Sequence, residues 1–280
     1  VFSISTPSHR LPYRLHRRSP VCGLLPLLAA LPLVWSGISH AQGFAAYITP
    51  PRFEIQAKAG VSTRQVFEIQ HVGQLKGGYR IYTNDWTFQP DNSVSFSDAL
   101  APDSCRPWVA IERRELTLEA GARYRFRFEI TPPPGTPPRE CRFAIMVEGI
   151  DPAKSSVDVG GRIGVIVYAA IGSAAPVLEI TATRTVKTAD GKLVAMLDVR
   201  NNGNAHGRLE GFVNGTDAGG QRLELTPSDV PIMPGETRGV SLSPVGEEDK
   251  PAPDVRFPLA VKGTLEWGKN RLPLDASFAP

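Results

Sequence analysis

The sequence predicts an all-β protein: two tandem immunoglobulin-like β-sandwich domains behind a cleaved signal peptide. Three observations carry that prediction. Apolar and polar residues alternate with a period of two in segment after segment. Turn residues separate those segments at short intervals. Finally, 26 Gly and 26 Pro spread along the 280 residues leave no room for long helices.

Residues 1–41 read as the leader. Arg10, Arg14, Arg17 and Arg18 form a basic stretch with no acid, an apolar run follows from Val21 to Ile38, and Ser39-His40-Ala41 supplies small residues at −3 and −1. That is the layout of a secretory signal cleaved after Ala41. The alternative is an uncleaved anchor; Pro26, Pro32 and the small-residue exit favour cleavage. The formal charge of +3 comes from this leader. Removing its four arginines from the 31 Lys and Arg leaves the mature chain one short of its 28 Asp and Glu. No basic patch then argues for nucleic acid, and no membrane span is expected in the mature chain.

The strands follow in order. Arg52-Phe53-Glu54-Ile55-Gln56 alternates, and so does Arg123 to Ile130, where Tyr124, Phe126, Phe128 and Ile130 alternate with charged residues. Such a segment is a half-buried strand. Phe143, Ile145 and Val147 form another set, and Leu193, Ala195, Leu197 and Val199 a fourth. Turn signals stand between them at Ala59-Gly60, Gly77-Gly78, Pro90-Asp91-Asn92, Glu119-Ala120-Gly121, Asp190-Gly191, Asn201-Asn202-Gly203-Asn204 and Pro234-Gly235. Residues 45–170 make one immunoglobulin-sized domain, 171–176 (Ile-Gly-Ser-Ala-Ala-Pro) a small-residue hinge, and 177–280 a second domain. An internal echo supports the split: Leu116 to Arg123 and Val230 to Arg238 both read as an apolar strand end, a tight glycine turn and a new strand.

Export also sets the reading of the cysteines. Cys22 leaves with the leader, and Cys105 and Cys141 remain. A disulfide between them is expected, the alternative being two buried free thiols.

No catalytic motif is present, and neither an enzyme activity nor a metal or other cofactor is expected. The mature chain keeps two histidines, His71 and His206, far apart and without metal-ligand spacing; both read as loop or surface residues. Glu112 and Glu115 flank Arg113-Arg114 and read as a solvated face. Gly160-Gly161-Arg162-Ile163-Gly164 runs into β-branched residues, not into a phosphate-cradling helix. Trp86, Trp108 and Trp267 read as core or edge packing.

The segment from Val157 to Tyr168 is more telling. Val157, Val159, Ile163, Val165 and Val167 share one parity and would line one face of a long strand ending the first domain. An apolar edge of that length is an aggregation hazard unless it is given to a partner by strand addition. The alternative is an ordinary last strand with a flexible lead-in.

With Ile48-Thr49-Pro50-Pro51-Arg52-Phe53-Glu54, the Leu118-Glu119-Ala120-Gly121 turn, the strand from Cys141 to Glu148 and Arg162 to Tyr168 before the hinge, the mature chain resembles the periplasmic chaperones of the chaperone–usher pilus pathway. The resemblance implies a periplasmic protein that caps exported pilin-like subunits by β-strand donation and hands them to an outer-membrane usher. It implies that Arg52 grips the subunit's C-terminal carboxylate and that Val157, Val159, Ile163, Val165 and Val167 fill the subunit's groove. The chain departs from the family pattern at four points. Gly164 or Val165 stands where the family has a lysine, Tyr168-Ala169-Ala170 stands for Tyr-Arg-Pro, Gly161 interrupts a strand that lacks the family's run of large alternating residues, and the Cys105–Cys141 pair is additional. The competing reading is an exported immunoglobulin-like adhesion or ligand-binding module.

Overall fold

The computed structural model describes residues 44–150, 161–246 and 252–280, so the leader at 1–41 and the residues Val157 and Val159 lie outside the described residues. Seventeen strands and one short 3-10 turn (Arg106–Trp108) make up the described structure, with no α-helix among the described residues.

The first half holds ten strands: β1 (Ala46–Thr49), β2 (Arg52–Ala57), β3 (Thr63–His71), β4 (Gly77–Phe88), β5 (Val94–Ser97), β6 (Val109–Ile111), β7 (Glu115–Leu118), β8 (Arg123–Ile130), β9 (Glu140–Ile150) and β10 (Arg162–Ile171). They form two sheets. One runs β1-β3-β8-β6; the other runs β2-β10-β9-β4, with β7 and the hairpin strand β5 also on β4. The alternation in β8 decides which face goes inward: Phe126, Phe128 and Ile130 are buried while Arg123, Arg125 and Arg127 stay out. Phe143, Ile145 and Val147 answer from β9 across the sandwich, and Phe67 sits opposite Phe126 in the β3–β8 ladder. Burying a side chain of this size contributes about 1.5–3 kcal/mol, so these few aromatics and isoleucines dominate the core.

Cys105 and Cys141 are joined, with Cα atoms 5.9 Å apart, and both are buried. The bond ties the segment after β5 to the start of β9.

The second half holds seven strands: β11 (Leu178–Lys187), β12 (Leu193–Asn201), β13 (Val213–Thr216), β14 (Arg222–Pro227), β15 (Thr237–Pro244), β16 (Leu259–Trp267) and β17 (Asn270–Phe278). They form one continuous sheet in the order β11-β12-β15-β14-β13-β16-β17, folded over so that β11 and β17 approach each other around a core of Leu197, Val199, Leu225, Val240, Leu265 and Phe278. The two echoed turns both place glycine in the left-handed region, Gly121 at φ 71° and Gly235 at φ 75°, where a side chain is disfavoured.

Two sequence expectations fail here. Gly77-Gly78 is not a turn but the opening of β4; a Cβ on Gly77 would lie 2.5 Å from the His71 ring, so glycine is there for close packing. His71 is accordingly buried, not a loop residue. Its Nδ1 is 2.5 Å from the Tyr79 hydroxyl and its Nε2 is 2.6 Å from the Leu75 carbonyl. Burial pushes the Tyr79 phenol up to about 12.

Candidate functional site

β10 is central to the first half and borders the second. It pairs antiparallel with β9 along Arg162–Ala170 and parallel with β2 along Ile166–Ile171 only. The shorter pairing has a local cause. The chain enters through β1, which belongs to the other sheet, and crosses over at Pro50-Pro51, so β2 begins only at Arg52. Ile166 donates its N–H to the Pro51 carbonyl at 3.0 Å. Arg162 and Gly164 share its parity and turn their backbone N–H and C=O groups to the same side. Among the described residues no strand meets them there. The first four residues of β10, Arg162–Val165, are therefore an unpaired edge.

The side chains expected to fill a partner's groove are differently placed. Val165 and Val167 are fully buried in the first half's own core, and Ile163 packs against it. Their parity therefore faces inward, and they are committed to their own sandwich. The opposite parity, Gly164, Ile166 and Tyr168, looks outward. Gly161 is small for a reason of the same kind, since Phe44 packs where its Cβ would be.

The outward face of β10 leads into a cleft between the halves, a cavity of about 370 Å³ bordered by Glu54, Glu140, Tyr168, His206, Arg208 and Trp267 among others. Arg52, the sequence-predicted anchor, stands at its rim. It is half exposed, with Nε 3.3 Å from Glu54 and Nη1 donating to Asp229 of the second half at 3.2 Å. Deeper in the cleft lies a cation that sequence reasoning missed. Arg208 is 7% exposed at its side chain, donates to Glu54 at 2.6 Å and pairs with Asp229 at 2.9 Å. Its Nη1 lies 2.8 Å from His206 Nε2, and its Nη2 is 3.3 Å from the Tyr168 hydroxyl.

His206 is buried too, contrary to the loop reading. Glu140 Oε2 accepts from its backbone N–H at 2.9 Å and lies 2.5 Å from its Nδ1. Burial works against a charged imidazole here, but the bonds to Glu140 and Glu54 outweigh it and raise the His206 pKa. The His206 bond, followed by the charges of Arg208 and Arg52, holds the Glu54 carboxyl down at about 2 despite partial burial. Glu54 therefore stays ionised across any ordinary pH.

The signal for this cluster was present in Asn204-Ala205-His206-Gly207-Arg208, but its partners Glu54 and Glu140 lie 154 and 66 residues away from Arg208 and His206 respectively. Among the described residues no group of three or more His, Cys, Asp or Glu is placed to hold a metal ion.

No protein-family model matches the chain, and no curated protein sequence does. Solved structures do. The class 5 fimbriae chaperone CfaA matches at 14% identity over 84% of this chain and 99% of its own, with a TM-score of 0.45. The YadV chaperone matches at 11% identity over 83% and 99%, with a TM-score of 0.46. The E. coli chaperone DraB matches at 13% identity over 84% and 100%, with a TM-score of 0.43.

Proposed function

We propose that this chain is a periplasmic chaperone that binds and caps exported pilin-like subunits, aiding their folding and their delivery to an outer-membrane usher. The observation that carries the reading is the unpaired edge Arg162–Val165. Among the described residues no strand pairs with the outward backbone donors and acceptors of two residues there, and an extended chain satisfies such groups by adding a strand. Binding of this kind needs no catalytic group. The recognition element is backbone; the inward valines stabilise the strand that offers it.

Arg52 supplies the second part of the reading. A subunit's terminal carboxylate would take the place of Asp229 on Arg52, while the Asp229 side chain, 68% exposed, keeps its pairing with Arg208 at 2.9 Å. Arg208 lies behind and keeps Glu54 engaged, so the exchange leaves no carboxylate uncompensated.

The experiment is periplasmic co-purification with mass spectrometry, wild type against Arg162→Pro. Proline is tolerated at the first residue of a strand but removes the edge N–H. A small β-rich exported protein recovered with wild type and lost with Arg162→Pro, at unchanged melting temperature, supports strand pairing. Equal recovery with both proteins, or none with either, overturns it.

A further inference from the structure

β4 belongs to two ladders. It pairs with β9 from Gly78 to Asn84, and then with β5 from Asp85 to Phe88. The β4–β5 hairpin carries its side chains over the outward face of β9 and β10. Trp86 meets Tyr168 edge-on with ring centroids 5.2 Å apart, and Phe96 reaches Gly164. A Cβ on Gly164 would lie 2.6 Å from Phe96 Cζ and 2.8 Å from Cε1. The tip of the Phe96 ring thus occupies the space of the side chain that Gly164 lacks.

The hairpin is anchored at both ends. At its tip, the buried Arg238 of β15 donates to the Gln89 carbonyl at 3.1 Å and to Asn92 Oδ1 at 2.8 Å. At its base, Asp85 accepts from the Ala101 N–H at 3.0 Å and from Ser104 Oγ at 2.7 Å, next to the Cys105–Cys141 bond. Between these ties β5 itself is mostly exposed, and Phe96 is only partly buried. The hairpin therefore sets the position of the ring without enclosing it.

Gly164 is one of the two residues whose backbone faces the unpaired edge. A strand added there would put a side chain directly opposite it, with its Cβ about 4.5–5.5 Å from the Cβ position of Gly164. That position is filled by Phe96. We infer that Phe96 is a further subunit-binding residue, a substitute side chain for Gly164 that takes up an apolar residue of the incoming strand. An aromatic placed over a strand glycine restores the cross-strand contact that glycine gives up. The partner chemistry is an extended segment with a branched aliphatic residue in register with Gly164. This inference rests on the strand-pairing reading and adds a side-chain requirement to it.

The test is fluorescence anisotropy with two synthetic labelled peptides, one alternating Leu and Thr between Lys caps and one with every Leu replaced by Thr. They are titrated with wild type, Phe96→Ala and Arg162→Pro, each first shown by thermal melting to be folded. Wild type is expected to bind the Leu peptide about tenfold tighter than the Thr peptide, and Phe96→Ala to lose most of that ratio while binding the Thr peptide as wild type does. Arg162→Pro should weaken both. If Phe96→Ala keeps the full Leu-to-Thr ratio, or binds the Leu peptide more tightly, the Phe96 role is wrong while strand pairing stands. If wild type binds neither peptide, or Arg162→Pro binds both as wild type does, strand pairing fails and the Phe96 role fails with it.

Discussion

The imidazole of His206 lies against the phenol ring of Tyr168, with centroids 3.7 Å apart and planes inclined by 24°. One ring belongs to the last strand of the first half and the other to a loop of the second. The stack sits beneath the Arg208 guanidinium, 5.3 Å above the Tyr168 ring, and beside the buried Glu140. Aromatic contact and charge therefore meet at the same point of the junction between the halves.

His206→Ala should destabilise the protein by about 2–3 kcal/mol, because the buried Glu140 carboxylate loses its imidazole partner and keeps only the residue-206 N–H and Arg142 at 3.7 Å. For a chain of this size that lowers Tm by about 4–12 °C. Adding Glu140→Gln should recover part of the loss, and a double-mutant cycle by calorimetry measures the coupling. Strict additivity of the two changes would remove the pair from the account.

Stability should depend on pH through this same cluster. The Glu54 carboxyl is held at about 2 against an ordinary 4.5, so its contribution is present above about pH 4.5 and lost as pH falls toward 2. The His206 imidazole is raised above its ordinary 6.5, so its contribution is full below that value and lost as pH climbs through the folded one. Chemical denaturation across pH should therefore show Glu54→Gln flattening the acid limb and His206→Gln flattening the alkaline limb. An acid limb unchanged in Glu54→Gln would contradict the assignment.

Asn201 is fully buried and satisfied at every position. Its Oδ1 accepts from the Val177 and Gly203 N–H groups at 3.1 and 2.9 Å, and its Nδ2 donates to the Ala205 and Ile232 carbonyls at 2.8 and 2.9 Å. Asn201→Leu leaves several buried backbone groups without partners and should cost about 3–5 kcal/mol in urea unfolding. A cost below about 1 kcal/mol would mean that the loop re-forms its bonds elsewhere.

The Cys105–Cys141 bond closes a separation of 36 residues. In the chain-entropy picture that contributes about 3–4 kcal/mol, chiefly by restricting the unfolded chain. The Cys105→Ser, Cys141→Ser double variant should lose that amount in guanidinium unfolding, and reductant should then have no further effect. A wild type equally stable with and without reductant would show that the bond restrains little.

Much of the fold was legible because a strand's period is local. Phe126, Phe128 and Ile130 sit in the core as their alternation with Arg123, Arg125 and Arg127 requires. The Gly121 and Gly235 turns occur where a tight turn was expected. The valines of β10 show the limit of the same signal. Parity correctly grouped Ile163, Val165 and Val167, but a period of two does not say whether the shared face looks into the chain's own core or toward a partner. Only the packing of the core, with Phe143 on the neighbouring β9 and Phe128 on the facing sheet, decides that they point inward.

What the sequence determined by itself is therefore the all-β character, the faces of the individual strands and the presence of two cysteines able to pair. What the tertiary structure decided is which edge is left open and which charges meet. The edge at Arg162–Val165 exists because the chain leaves the other sheet only at Pro50-Pro51, so β2 begins opposite Ile166 and leaves the start of β10 uncovered. The cleft exists because Glu54 and Arg208, 154 residues apart, face each other across the two halves. Alternation is a property of neighbouring residues along one chain segment. An unpaired amide or a buried ion pair is a property of what the rest of the chain places beside it.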